Sequence, residues 1–188
     1  MLKIISGTLK NRVIPIIPKA KFKPSTSRSK EAIFSIINAD KFPHSLENSN
    51  MLDVFCGSGG VGLEALSGGA KSVCFVDMNA EQMALLKDFI KKVEMPQRVS
   101  FMLCDAGRMP KAKQPYEIIF LDPPYFENLA SKALTSLYNN NWLAPDAIII
   151  LELALKEDFT PPSFCKIFDM RNYGRCKIIF MQLENSNA

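Results

Sequence analysis

From Met51 onward the chain alternates between short apolar runs and amphipathic stretches, and this alternation restricts the fold more than any other feature. "MLDVF", "SVCFVD", "VSFMLCD", "YEIIFLD" and "AIIILEL" are apolar almost throughout. "VGLEALSGG", "AEQMALLKDFIKKV" and "NLASKALTSLYNN" lie between them and repeat apolar residues at helical spacing. A strand with one wet face would alternate apolar and polar residues, so uniformly apolar strands predict a mostly parallel α/β sheet covered by helices on both faces. "FCKIFDM" and "CKIIFMQLE" flank "RNYGR" and read as a closing antiparallel pair, which brings the strands to seven. Ligands of such sheets lie beyond the carboxyl ends of the strands.

The residues before Met51 have another character. "LKIISGTLKNRVIPIIP" reads as two short strands around Ser6-Gly7, a hairpin, and "SRSKEAIFSIIN" places Ala32, Ile33, Ile36 and Ile37 on one helical face. The division falls at residue 48, giving a basic extension over 1–48 and the alternating domain over 49–188. Lys3, Lys10, Arg12, Lys19, Lys21, Lys23, Arg28 and Lys30 stand in the first thirty residues with no acid among them. That segment is +8 in a chain of net charge +4, so the remainder is −4. Such asymmetry predicts a polyanion-binding arm, with Lys10, Arg12, Lys21, Lys23 and Arg28 as substrate contacts.

Composition removes several function classes. No apolar run reaches the roughly 18 residues of a membrane span, and Met1-Leu2-Lys3 does not open a signal peptide, so a cytoplasmic protein with no membrane partner is expected. The five cysteines form no C-x-x-C pair and read as small apolar fillers. With His44 the single histidine, neither a zinc site nor a histidine-based triad is expected, and no metal.

Two short motifs carry chemistry. In "DVFCGSGGVG", Gly57, Gly59 and Gly62 fit G-x-G-x-x-G between the first strand and a helix, where glycine lets a ligand approach the backbone closely. Asp77 follows Gly57 by twenty residues at the end of the second strand, with Met78 beside it, and is placed to accept hydrogen bonds from ribose hydroxyls. NAD and S-adenosylmethionine both present such a ribose. Asp53 would repel a pyrophosphate but suits an aminoacyl group, and Asp105, with Ala106, suits an adenine amino group. Three acids on adjacent strand ends favour a cationic cofactor such as a sulfonium.

The second motif is "DPPY", Asp122 to Tyr125, at the end of the fourth strand. Prolines end the strand and stiffen the loop. A base turned out of its helix could stack on Tyr125 and donate its amino protons to Asp122 and to the Pro123 carbonyl. The amine lone pair, otherwise delocalised into the ring, is then directed toward a methyl group for in-line displacement, which requires positioning more than acid–base power.

"DVFCGSGGVGLEAL", "DPPY" and "KPSTSRSKEAIFSII" together resemble the RsmD family, the S-adenosylmethionine-dependent 16S ribosomal RNA guanine-N2 methyltransferases, over nearly the whole chain. The resemblance implies a Rossmann-like class I methyltransferase fold, a seven-stranded sheet with an antiparallel last strand behind a small N-terminal extension. It implies that Gly57, Gly59 and Gly62 form the cofactor loop, that Asp77 takes the ribose and that Asp105 and Ala106 take the adenine. Asp122, Pro123, Pro124 and Tyr125 then hold the target guanine, and the helix bearing Arg28, Glu31 and Phe34 closes over the cofactor. The implied partner is 16S ribosomal RNA, within a small subunit or its assembly intermediate, with no obligate protein partner. The chain departs from the family at Lys23-Pro24-Ser25, where Arg-Pro-Thr is common, and at Ser27, where an acid is usual; lysine lacks the bidentate geometry of arginine. D-P-P-Y is shared with DNA adenine-N6 and protein glutamine methyltransferases, which form the alternative reading. A dehydrogenase would leave D-P-P-Y without a task.

Overall fold

The computed structural model describes residues 2–17, 27–37 and 45–184. Its sheet has seven strands in the order β3-β2-β1-β4-β5-β7-β6: β1 (Asn50–Val54), β2 (Ser72–Asp77), β3 (Val99–Leu103), β4 (Tyr116–Leu121), β5 (Leu143–Ala154), β6 (Cys165–Tyr173) and β7 (Cys176–Leu183). Pairs β1–β2, β2–β3, β1–β4 and β4–β5 are parallel, and β7 runs antiparallel between β5 and β6. The sequence expectation of a mostly parallel sheet with an antiparallel last strand holds.

Helices α1 (Ser27–Ile37), α2 (Gly60–Ser67), α3 (Ala80–Lys92) and α4 (Leu129–Asn139) cover the sheet. One face of the central strands presents Met51, Phe75, Ile118 and Phe120 to α1, α2 and α3; the other presents Leu52, Val76, Ile119 and Leu121 to α4. The period of two along each strand sends neighbours to opposite faces, and both faces are dry, hence the unbroken apolar runs. Full burial of side chains such as Phe75, Phe120 and Phe180 contributes about 1.5–3 kcal/mol each. Ile4, Leu9, Ile14, Ile33 and Ile37 of the extension join the same apolar cluster as α2 and α3.

Three local expectations change. The N-terminal hairpin is a chain reversal with one isolated bridge, Lys3 to Val13, not two strands. The backbone groups that would build its ladder are taken by α2: Ile5 N–H donates to Glu64 Oε1 at 2.8 Å, Leu9 N–H to Ser67 Oγ at 2.9 Å and Thr8 N–H to the Ser67 carbonyl at 2.9 Å. β6 runs on through Tyr173, because Gly174 at φ 60° permits a two-residue turn with Arg175. β5 begins at Leu143, before the apolar run, with a register shift where Pro145 lacks the N–H for a regular ladder.

Candidate active site

The parallel register levels the carboxyl ends of β1, β4 and β5: Val54 pairs with Leu121, and Leu121 with Leu151. Phe55, Asp122 and Glu152 therefore follow at one height. Beyond this rim lies a cavity of about 520 Å³, a size that holds a small organic ligand. Phe55, Gly57 and Ser58 line it after β1, Asp77 and Met78 after β2, and Asp122 to Tyr125 after β4. The two motifs separated in sequence thus face one space.

The glycine-loop side is held by its own hydrogen bonds. Asp77 Oδ2 accepts from Gly57 N–H at 2.7 Å and Oδ1 from Asn79 N–H at 2.8 Å, so one carboxylate ties the loop after β1 to the start of α3. Each oxygen keeps lone-pair capacity for a ligand hydroxyl. Asp53 Oδ2 accepts from Gly62 N–H at 2.9 Å beneath the loop. A Cβ on Gly62 would lie 2.4 Å from Phe75 and 2.8 Å from Asp53 Oδ2, so only glycine lets α2 sit this close to the sheet. Gly59, at φ 72°, opens α2 in the left-handed region. Gly59 and Gly62 shape the wall from behind and do not line the cavity. Phe55 has φ 59°, which costs a non-glycine residue about 1–2 kcal/mol at the cavity edge.

Burial pushes the Asp53 carboxyl up to about 8; the Gly62 N–H opposes the shift and Asp77 adds to it. At neutral pH Asp53 is therefore mostly a carboxylic acid, which corrects the expectation that it supplies negative charge. Asp105 and Ala106 lie at the end of β3, outside the cavity lining. Asp105 caps the short helical turn Ala106–Arg108 by accepting from Gly107 N–H at 2.8 Å, and Ala106 is buried.

On the other side Asp122 is half-buried, Pro123 buried and Pro124 exposed. The Tyr125 hydroxyl donates to Glu152, and its pKa is pushed up by burial first, then by Asp122 and Glu152. Glu152 is 3% exposed on β5. It lies inside an apolar run, and sequence reasoning missed it; the one acid within "AIIILELA" was the available signal. Lys30, counted in the basic arm, is also placed otherwise. It is 2% exposed, lines the cavity and pairs with Glu64 at 3.0 Å. Glu64 binds the Ile5 N–H as well, so this pair joins α1, α2 and the N-terminal turn.

Lys10 and Arg12 are exposed on the N-terminal turn. Lys21, Lys23 and the Lys23-Pro24-Ser25 departure lie outside the described residues, as do the side chains of Ser27 and Arg28. Among the described residues no group of three or more His, Cys, Asp or Glu could hold a metal ion, and no helix is long and apolar enough to cross a membrane.

Comparison with known proteins matches this site to one family. The family model described as Conserved hypothetical protein 95 covers residues 2–182. An uncharacterized methylase of Rickettsia prowazekii is 27% identical over 97% of this chain and 98% of its own. Ribosomal RNA small subunit methyltransferase D of Haemophilus influenzae is 32% identical over 80% of this chain and 78% of its own. Among solved structures, "Putative methyltransferase yhhF" of Escherichia coli superposes with a TM-score of 0.83 at 25% identity, over 98% of this chain and 99% of that one. The sheet order and helix placement are those of class I methyltransferases, and the chain belongs to the RsmD family.

Proposed function

We propose that this protein is an RNA methyltransferase that moves a methyl group from S-adenosylmethionine to the exocyclic N2 amine of a guanine in small-subunit (16S) ribosomal RNA, in the cytoplasm. One observation carries the reading: the glycine loop with Asp77 and the D-P-P-Y loop line the same cavity from opposite sides. A ribose-accepting carboxylate and an amine-accepting carboxylate facing one space suit a reaction between a nucleoside cofactor and an aromatic amine. The named activity of the Haemophilus relative supports the RNA class.

The cavity volume and its lining fit the cofactor: Asp77 would take the ribose hydroxyls, Met78 would cover the base, and Asp53 and Lys30 lie where an aminoacyl group would end. Bound there, S-adenosylmethionine supplies an electrophilic methyl carbon on a sulfonium. The chain's own residues do the rest by placement. Asp122 and the Pro123 carbonyl accept the amine protons and turn its lone pair toward the cofactor side. Tyr125, held by Glu152, offers its ring to the guanine. The extension up to residue 48 would add RNA contacts, with Lys10 and Arg12 exposed for it.

The test incubates the protein with radiolabelled S-adenosylmethionine and small ribosomal subunits lacking their methylations, followed by digestion of the RNA to nucleosides. Label in N2-methylguanosine is the expected result. Label in another nucleoside would keep the mechanism and overturn the target. Absence of label in RNA, with label in DNA adenine or protein glutamine instead, would move the protein to the alternative class that shares D-P-P-Y.

A further inference from the structure

Residues 31–188 carry a net charge of −4, yet one part of them is cationic. Segments 106–116 and 128–145 contain Arg108, Lys111, Lys113 and Lys132 and no acid, so the rest of that span sums to −8. The two segments meet in space. Met109 N–H donates to Ser136 Oγ at 2.8 Å, Ala112 N–H to the Asn140 carbonyl at 2.8 Å, and the Trp142 indole N–H to the Pro110 carbonyl at 2.7 Å. These bonds fix the loop after β3 on α4, and the four cationic side chains stand exposed on that fixed backbone.

A groove of about 650 Å³ lies between the segments, lined by Arg108, Lys132, Ser131, Thr135 and Asn139 among others. Gly107 makes room in it. A Cβ there would lie 2.7 Å from Lys132 Cε and 2.8 Å from its Cδ, so the lysine stem crosses over Gly107 beside Arg108. Asp105 faces this pair: one oxygen accepts the Gly107 N–H, and the other is 3.9 Å from Arg108 Nε. That pair is long, and the Arg108 side chain is 82% exposed, which leaves the guanidinium available to a stronger anion.

We propose that this groove is a second contact for the phosphate backbone of the RNA, resting on the reading of the protein as an RNA methyltransferase. Guanidinium and ammonium groups answer the phosphate charge, and Ser131, Thr135 and Asn139 supply uncharged donors to its oxygens. Its position suits the task. Leu129, the first residue of α4, lines the active-site cavity, and Ser131 and Lys132 stand in the next positions of the same helix. Lys10 and Arg12 belong to a turn packed with α2 on the opposite face of the sheet. A nucleotide turned out into the cavity needs its flanking backbone held on both sides, and the two cationic regions provide one on each face.

The test uses the full chain with Arg108→Gln, Lys111→Gln, Lys113→Gln and Lys132→Gln combined, against a control with Lys71, Lys91, Lys92 and Lys166 changed to Gln. Affinity for a small-subunit ribosomal RNA transcript is measured across a salt series, alongside S-adenosylmethionine affinity. The groove variant should bind the RNA at least tenfold more weakly, and its log–log salt slope should fall by about 0.7 for each lost phosphate contact. Cofactor affinity and the thermal midpoint should stay unchanged, and the control should keep the wild-type slope. An unchanged slope in the groove variant overturns the groove and leaves the RNA reading standing. Equal weakening of the control assigns the effect to net charge and also overturns it. A wild-type protein that binds no RNA removes both readings together.

Discussion

Asp77 and Asp122 end strands that flank β1 on either side, yet the chain treats them differently. Asp77 has both oxygens engaged by backbone N–H groups of its own rim, and the glycine loop is fixed through it. Asp122 is carried on a loop stiffened by two prolines, followed by the exposed Phe126 at φ 63° and Asn128 at φ 54°. The cofactor side is shaped by hydrogen bonds that exist before any ligand arrives. The acceptor side is stiffened by covalent geometry and by one anchor, Tyr125 on Glu152. The contrast fits a preformed pocket for a small ligand beside an open mouth for a large one.

Substitution should separate the two sides. Asp122→Ala should lower single-turnover methyl transfer by about 10²–10³-fold, the size seen when one oriented polar group is removed from a reacting centre. Cofactor affinity by calorimetry should stay within about twofold; parallel loss of both would erase the distinction between the sides. Gly62→Ala should do the reverse. Its Cβ meets Phe75 and Asp53, so overpacking should cost about 1–3 kcal/mol in denaturant unfolding and weaken cofactor binding. Wild-type stability in this variant would mean that α2 yields more easily than the contact distances imply.

Asp53 gives the cofactor side a pH signature. Between the ordinary carboxyl range and about 8, the folded protein holds a proton on Asp53 that the unfolded chain has released. The native state binds more protons there, so stability falls as pH rises through that window, by up to ~1.4 kcal/mol per pH unit, and levels off above it. Asp53→Asn should flatten this part of a stability profile recorded from pH 4 to 9. An unchanged slope in the variant would place the titration elsewhere.

The acceptor side has its own smaller test. Tyr125→Phe keeps the ring and removes the donor to Glu152, leaving a buried carboxylate short of a partner, so stability should fall by about 1–3 kcal/mol. Turnover should slow by roughly tenfold as the ring loses its fixed tilt, equivalent to about 1.4 kcal/mol in the barrier. Adding Glu152→Gln should recover most of the stability and little of the rate. Recovery of both would make the contact structural alone.

The same contrast governs what the sequence disclosed. Gly57, Gly59, Gly62, Asp77 and Asp122 were legible because their roles depend on local spacing at strand ends, and strand ends follow from apolar runs. Glu152 and Lys30 were not, because their roles depend on register and on a helix docking from far along the chain. Glu152 lies within an apolar strand and faces the rim only because Leu151 pairs with Leu121. Lys30 looked like one more cation of a basic arm until α1 buried it on Glu64. The missing hairpin has the same origin: nothing within residues 2–14 announces that Glu64 and Ser67 compete for its backbone. The cationic pair of segments around Arg108 and Lys132 was equally dispersed in sequence and joined only by the fold.

The smallest expected effect concerns the extension. The sequence suggested deleting residues 1–24 to test an RNA-binding arm, but Ile4, Leu9 and Ile14 are buried in the main apolar cluster. Removing them would expose that cluster and destabilise the whole fold, whatever the cations do. Lys10→Gln with Arg12→Gln leaves the core intact and removes only exposed charge. If this turn touches RNA phosphates, the pair should weaken binding by a few-fold at physiological salt and lower the salt slope by about one. Cofactor affinity should not move, since neither residue lines the cavity. A slope equal to wild type would confine the RNA contact to the other face of the sheet and to the rim, and the extension would then serve the site through Lys30 and Glu64 alone.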